Sequence, residues 1–127
     1  MRATTATIHL AALRHNLQRV RALAPRSRVM AVVKADGYGH GLERVAQALS
    51  AADAFGVATL TDAERLRRAG HGHRIVLLSG FDETRDLALV HELQVDCVLH
   101  HEYQLALLER TAVNKALSLW VKIDTGM

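Results

Sequence analysis

The stretch from Met30 to Gly41 constrains the fold of this chain more than any other part of the sequence. It opens with an unbroken apolar run that ends at Val33, a pattern typical of a strand buried on both faces of a parallel sheet. Lys34 follows, and then comes a turn with glycine at every second position. Glycine permits positive φ angles and lets the backbone pass close to a ligand. Lys34 is therefore predicted to lie at the carboxyl end of a strand, where parallel α/β folds bind their ligands.

Strand and helix patterns alternate along the rest of the chain. A short extended segment is expected at residues 6–10, and Pro25 should end the first helix. Further strands are predicted at 28–33, 55–58, 75–78, 95–99 and 117–123, and helices at 11–24, 42–52, 61–69, 83–93 and 101–110. This alternation predicts an α/β fold with a parallel sheet and right-handed crossovers. An eight-stranded barrel and a doubly wound sheet both fit, and periodicity does not choose between them.

Composition narrows the class of protein. With 127 residues, 50% hydrophobic and 23% charged, the chain is long enough for one globular domain. Aromatic residues make up only 4%, too few to serve as platforms for nucleic-acid bases, so no nucleic-acid partner is expected. The amino-terminal arginines are better explained as a solvated helix face: Arg14, Arg19, Arg21, Arg26 and Arg28. No apolar run approaches a membrane span, no secretory leader is recognisable, and the single cysteine fits a reducing compartment, so a cytoplasmic protein is expected.

Several other residues invite functional interpretation. The eight histidines include the close pair His71 and His73, but neither a cysteine nor an HExxH-type helix accompanies them. We therefore expect structural histidines and no metal site. Cys97 falls in a predicted buried strand and should pack in the core. Asp36 is expected to shape the turn through its side chain.

From its position alone, Lys34 has a plain alternative, a solvated charge that marks where the strand leaves the core. The string VVKADGYGHG, residues 32–41, closely resembles the pyridoxal-phosphate attachment motif of the alanine racemases. The resemblance implies a TIM-like (β/α)8 barrel in which Lys34 forms a Schiff base with pyridoxal 5'-phosphate. It also implies that Tyr38 hydrogen-bonds the cofactor phosphate. Val32 and Leu78 are expected to supply the apolar surroundings that make the lysine amine a usable base.

Lys122 is a second candidate. It is predicted to share one face of the last strand with Trp120 and Asp124. A lysine in a buried sheet is costly unless it is paired or neutralised, so an ion pair or a side chain that reaches out of the barrel mouth would each explain it. The string KIDTGM, residues 122–127, resembles a second alanine racemase signature. That resemblance implies a further possibility, carbamylation of Lys122, which would exchange its positive charge for a negative one.

Five predicted strands cannot close a barrel of eight. Given the barrel that the resemblance implies, we expect residues 1–127 to be an incomplete amino-terminal barrel domain, inactive by itself. The resemblance further implies that the remaining strands and a carboxyl-terminal β domain are absent from this chain. The resemblance implies interconversion of L-alanine and D-alanine by two bases. Lys34 would serve the D-alanine face, and a tyrosine from the other subunit of a homodimer would serve the L-alanine face. The alternatives are a broad-specificity racemase or a decarboxylase of the same fold, and a non-catalytic pyridoxal-phosphate carrier.

Overall fold

The five strands form one parallel sheet in which each strand lies beside the next one in the chain. The structure is a computed structural model that describes residues 3–111 and 116–126. The strands are β1 (Met30–Val32), β2 (Ala54–Val57), β3 (Arg74–Leu77), β4 (Val95–Leu99) and β5 (Leu119–Val121). A doubly wound sheet reverses its strand order at a switch point, whereas a barrel keeps the strands sequential. The order β1-β2-β3-β4-β5 therefore decides for the barrel-type arrangement.

Five of the six described helices occupy the predicted intervals with shifted ends, and the sixth, Lys34–Tyr38, lies where only a turn was predicted. They are α1 (Leu10–Leu23), α2 (Lys34–Tyr38), α3 (Leu42–Ala48), α4 (Leu60–Arg68), α5 (Thr84–Leu93) and α6 (Glu102–Arg110). The predicted strand at 95–99 has the bounds of β4, whereas the helix expected to reach residue 52 ends at Ala48. Residues 3–9 precede α1. They do not form a strand with any other described residue. None of the described helices combines the length and apolar character needed to cross a bilayer.

The amino-terminal end of α4 differs from expectation. In the sequence, Thr61 followed three residues later by Glu64 is typical of a capping box that would start this helix, but that prediction is wrong. Thr59 is the N-cap, with extended φ and ψ of −129° and 152°, and its Oγ1 accepts a hydrogen bond from the Asp62 N–H at 3.1 Å. The physical reason is that β2 ends at Val57, so the chain can turn into the helix two residues earlier than the Thr61 pattern implied.

The main core lies between one face of the sheet and the helices. Alternate strand side chains are buried against it, among them Phe55, Val57, Ile75, Leu77 and Cys97, and they pack with Leu42, Ala46, Leu66, Leu87 and Val90 from the helices. Each fully buried aliphatic or aromatic side chain contributes about 1.5–3 kcal/mol. The expected core position of Cys97 is confirmed, and burial raises the pKa of its thiol to about 12. The helices cover this face of the sheet, and a cavity lies on the opposite side.

Candidate functional site

Helix α2 is an unusual left-handed turn. Four consecutive residues, Ala35, Asp36, Gly37 and Tyr38, have φ angles of 52°, 54°, 63° and 55°. An L-residue in this region is disfavoured by about 1–2 kcal/mol, and such strain concentrates at functional sites. The turn glycines adopt the positive φ that glycine permits, since φ is also positive at Gly39 and at Gly41. The sequence did not indicate that three non-glycine residues share this conformation.

The Asp36 side chain closes this turn. Its Oδ1 accepts hydrogen bonds from the Leu42 N–H at 3.0 Å and from Arg65 Nη2 at 2.9 Å. The bond from Leu42, and to a smaller extent the bond from Arg65, holds the pKa of the Asp36 carboxyl below its usual range. The prediction that Asp36 shapes the turn is confirmed. The arginine that reaches it from α4 was not predicted.

A cavity of about 520 Å³ lies at the carboxyl ends of the strands, within the range typical of small-molecule sites. Its lining is largely apolar and includes two lysines. The lining residues are Lys34, Ala58, Leu78, Ser79, Val98, Trp120, Val121 and Lys122. Lys34 comes one residue after Val33 and thus near the carboxyl end of β1, as predicted, and is half-buried. The expectation that this strand is buried on both faces is wrong, because Met30 and Ala31 are half-buried and Val32 is exposed. The fold therefore brings a primary amine to an apolar cavity large enough for a small cofactor.

Two of the predicted site residues, Val32 and Tyr38, are not among the described residues that line the cavity. Val32 shares a sheet face with Leu78 above Gly56. A Cβ added at Gly56 would lie 3.4 Å from Val32 Cγ2 and 3.3 Å from Leu78 Cδ1, so both side chains close over the glycine. Tyr38 extends from the left-handed turn and is 59% exposed, which leaves its ring accessible to a ligand.

Lys122 and Trp120 both line the cavity, and so does Val121, so the cavity does not test their predicted common face. The expectation of a buried sheet around Lys122 is wrong, because Lys122 and the residues of β5 are exposed. The backbone N–H of Lys122 continues the sheet by donating to the Leu99 carbonyl at 2.9 Å. Below it, Trp120 Nε1 donates to Asp96 Oδ2 at 2.8 Å, and Asp96 also pairs with Arg74 at 3.2 Å. The last residue of the predicted KIDTGM signature, Met127, lies outside the described residues.

A buried glutamine supports the cavity wall and was not predicted. Gln104 is 0% exposed. Its Nε2 donates to the carbonyls of Ser79 and Phe81 at 3.3 and 3.2 Å, and its Oε1 accepts from the His100 N–H at 3.0 Å. These bonds hold the loops after β3 and β4. A glutamine within an amphipathic helix normally lies on the surface, so the sequence carried no signal for this role.

The histidines contribute to packing and to helix ends. His71 is buried edge-on against the Phe55 ring at 5.4 Å, and burial lowers the pKa of its imidazole. His101 is the N-cap of α6, and its Nδ1 accepts from the Tyr103 N–H at 3.2 Å. His40 donates from Nδ1 to the Tyr38 carbonyl at 2.9 Å. Across residues 3–111 and 116–126, no three His, Cys, Asp or Glu side chains are grouped so as to hold a metal ion.

Comparisons with known proteins agree on one family. The family model described as "Alanine racemase, N-terminal domain" matches residues 8–127. An alanine racemase from Nitrosococcus oceani is 57% identical over 96% of this chain and 34% of its own length. The biosynthetic alanine racemase of Escherichia coli K12 is 49% identical over 100% of this chain and 35% of its own length. The chain thus spans about a third of the length of these curated relatives.

Solved structures agree with the fold. An alanine racemase from Acinetobacter baumannii superimposes with a TM-score of 0.89 and 36% identity, covering 100% of this chain and 36% of that protein. The five-stranded parallel sheet and its helices match the amino-terminal part of the alanine racemase barrel. The choice between barrel and doubly wound sheet, which periodicity left open, is therefore decided in the same direction by strand order and by structural similarity.

Proposed function

Because this chain belongs to the alanine racemase family, we propose that it serves a longer protein that interconverts L-alanine and D-alanine with pyridoxal 5'-phosphate bound at Lys34. The observation that carries the proposal is the position of Lys34. It lies just after the first strand, at the start of a strained turn, and borders an apolar cavity at the carboxyl end of the sheet. Active sites of barrel enzymes lie at that end.

The residues present fit the cofactor. Lys34 offers a primary amine, Tyr38 offers a phenol hydroxyl on the same turn, and Leu78 with Trp120 offers apolar surface for a ring. The cavity of about 520 Å³ has room for such a group. When bound, pyridoxal phosphate supplies the electron sink that acidifies the Cα–H bond of an amino acid. We assign the phosphate contact to the Tyr38 hydroxyl, which can donate a hydrogen bond.

Lys34 is the proposed base on one face of the substrate. Its amine would take a proton from Cα, or return one to it, on the face that leads to D-alanine. Racemisation needs a second base on the opposite face. We propose that a tyrosine of a second subunit supplies it, so that the working protein is a homodimer with alanine as its substrate.

Lys122 is the proposed site of carbamylation. Two ammonium groups bordering one largely apolar cavity would disfavour each other, and a carbamate at Lys122 would replace one of these charges with a negative one. An ion pair of Lys122 with an acid, or a side chain directed to solvent, would relieve the same cost. Intact mass analysis of the longer protein distinguishes a carbamate at Lys122 from an ion pair and from a solvent-directed side chain, because only the carbamate adds mass.

Residues 1–127 are proposed to be the amino-terminal part of the barrel domain. Two observations support this. The chain spans about a third of its curated relatives, and among the described residues β1 and β5 each pair with one neighbour only. The remaining strands and a β-rich carboxyl-terminal domain would come from other sequence of the longer protein.

The test uses the longer protein with pyridoxal phosphate. It should convert L-alanine to D-alanine, and borohydride reduction should fix the cofactor to Lys34 Nζ, as found by peptide mass spectrometry. Lys122 is the internal comparison, because it borders the same cavity. A label on Lys122, or no label, would overturn the assignment of Lys34. Equal turnover of several amino acids would favour the broad-specificity racemase, and a label without any turnover would favour the non-catalytic carrier.

A further inference from the structure

Arg65, on α4, contacts three carboxylates at once. Its Nη2 lies 2.9 Å from Asp36 Oδ1, and its Nε and Nη2 lie 2.8 and 2.9 Å from the two oxygens of Glu43. Its Nη1 lies 3.5 Å from Asp62 Oδ1. The planar guanidinium suits this arrangement, because it presents several donors in fixed directions. One side chain therefore ties α4 both to α3 and to the left-handed turn of α2.

The turn that Arg65 reaches has little tendency to keep its shape by itself. Ala35, Asp36 and Tyr38 all have positive φ angles without being glycine. Residues in such conformations persist only where the surrounding structure over-determines them. Asp36 is the contact point, since its side chain bonds both Arg65 and the Leu42 N–H, while its carbonyl accepts from the Gly41 N–H at 2.8 Å. Release of Asp36 would leave the turn without its link to α4.

From this geometry we infer that Arg65 is a positioning residue for Lys34, acting through Asp36. Lys34 lies two residues before Asp36 and Tyr38 two residues after it, so the restraint acts midway between the proposed base and the proposed phosphate contact. The catalytic part of the inference rests on the proposed function. The structural part, that Arg65 restrains the α2 turn, does not depend on it.

An ion pair between Arg65 and Glu43 would by itself be enough to join α4 to α3. Arg65 already holds both oxygens of Glu43, and the added bond to Asp36 is the one that reaches the turn. Arg68 on the same helix provides the contrast, because its guanidinium contacts Glu64 of its own helix at 2.6 Å and is 74% exposed. Arg68 thus has the same chemistry on the same helix and an ion pair confined to that helix.

The experiment compares Arg65→Gln, Arg65→Lys and the control Arg68→Gln in the longer protein. The first readout is amide hydrogen exchange of the segment 34–41 without cofactor. Exchange should be about tenfold faster in Arg65→Gln, intermediate in Arg65→Lys and unchanged in Arg68→Gln. The second readout is kinetic. A displaced base should lower kcat for alanine by about 10- to 100-fold, with KM changed much less, and Arg65→Lys should recover part of the loss.

Two results would overturn the inference. Exchange of the turn that is no faster in Arg65→Gln than in Arg68→Gln would remove the restraint itself. Faster exchange with unchanged kcat would show that the restraint does not position Lys34. If Arg65→Gln fails to fold, Arg65→Lys and Asp36→Asn are measured in its place. A wild-type protein inactive on alanine would refute the proposed function. The exchange rates of Arg65→Gln and Arg68→Gln would then still test whether Arg65 restrains the α2 turn.

Discussion

Replacing Gly37 with alanine tests whether the left-handed turn is a fitted part of the site. Gly37 is buried, with φ of 63°, and an added Cβ would lie 3.0 Å from Val45 Cγ2 and 3.2 Å from Val45 Cβ. Val45 lies in the core on α3 and is 6% exposed, so it has little room to give way. Gly39 is the matched control, because its φ is 81° but nothing lies within 4 Å of an added Cβ.

The expected magnitude has two parts. An alanine in the left-handed region is disfavoured by about 1–2 kcal/mol, and this applies to both glycines. The contact with Val45 adds an overpacking cost of about 1–3 kcal/mol at Gly37 alone. We therefore expect Gly37→Ala to destabilise the turn by about 2–5 kcal/mol and Gly39→Ala by about 1–2 kcal/mol. The difference between them measures the packing of the turn against α3.

Amide hydrogen exchange is the appropriate assay, because it reports the opening of a local unit within a larger protein. The amides in this region that are hydrogen-bonded to nearby carbonyls include Gly37 to Val33, Gly39 to Ala35, His40 to Gly37, Gly41 to Asp36 and Val45 to Gly41. The segment should exchange about 5- to 150-fold faster in Gly37→Ala than in Gly39→Ala, which corresponds to the packing difference of about 1–3 kcal/mol. The double variant Gly37→Ala with Val45→Ala should cost less than the sum of its two single changes.

The reasoning would be refuted by equal exchange in the two glycine variants. It would also be refuted if the double variant were simply additive, since removal of the Val45 methyl groups is expected to relieve the crowding at Gly37. Either result would mean that the turn is not packed tightly against α3, and that its left-handed conformation depends on the glycines alone.

Three further predictions concern the cofactor, the response to pH and the isolated segment. Tyr38→Phe should weaken binding of pyridoxal phosphate by about 0.5–1.5 kcal/mol or somewhat more, the scale of one lost hydrogen bond, while the fold stays intact; unchanged affinity would contradict the assigned phosphate contact. Stability should fall as the pH drops below the ordinary His71 pKa of 6.5, because burial lowers the pKa of His71 in the folded state and the unfolded chain therefore takes up that proton first. Unfolding midpoints between pH 7 and 5 should be less pH-dependent in His71→Gln, and equal slopes would refute this role. Residues 1–127 alone should not racemise alanine at a rate near that of the longer protein, and comparable D-alanine formation by the isolated segment would refute both the incomplete barrel and the two-base proposal.

Local sequence patterns predicted much of the fold. β4 has the predicted bounds because its residues Val95 to Leu99 form an apolar run with one charge, between a helix end and a histidine pair. Pro25 lies just beyond α1, as its missing N–H and fixed φ require. The place of Lys34 and the role of Asp36 also followed from the residues around them. In each case the deciding contacts lie within a few positions along the chain, and such contacts leave a periodic or motif-like trace in the sequence.

Contacts between distant residues left no such trace. Arg65 bonds Asp36 from 29 positions away, and Gln104 holds Ser79 from 25 positions away. Each residue looks ordinary in its own helix. The left-handed conformation of Ala35 and Tyr38 likewise cannot be read from residue type, because both normally prefer negative φ.

By itself, the sequence determined, to within a few residues, where the strands and the longer helices form, that a lysine closely follows the first strand, and which family the turn resembles. The tertiary structure decided the strand order, the shape of the turn, and the meeting of Lys34 with Lys122 and Trp120 at one cavity. The physical reason is that periodicity records the environment of each residue in its own element. Which elements become neighbours depends on the packing of the whole sheet against its helices, and only that packing brings an arginine of α4 to the turn that carries the proposed base.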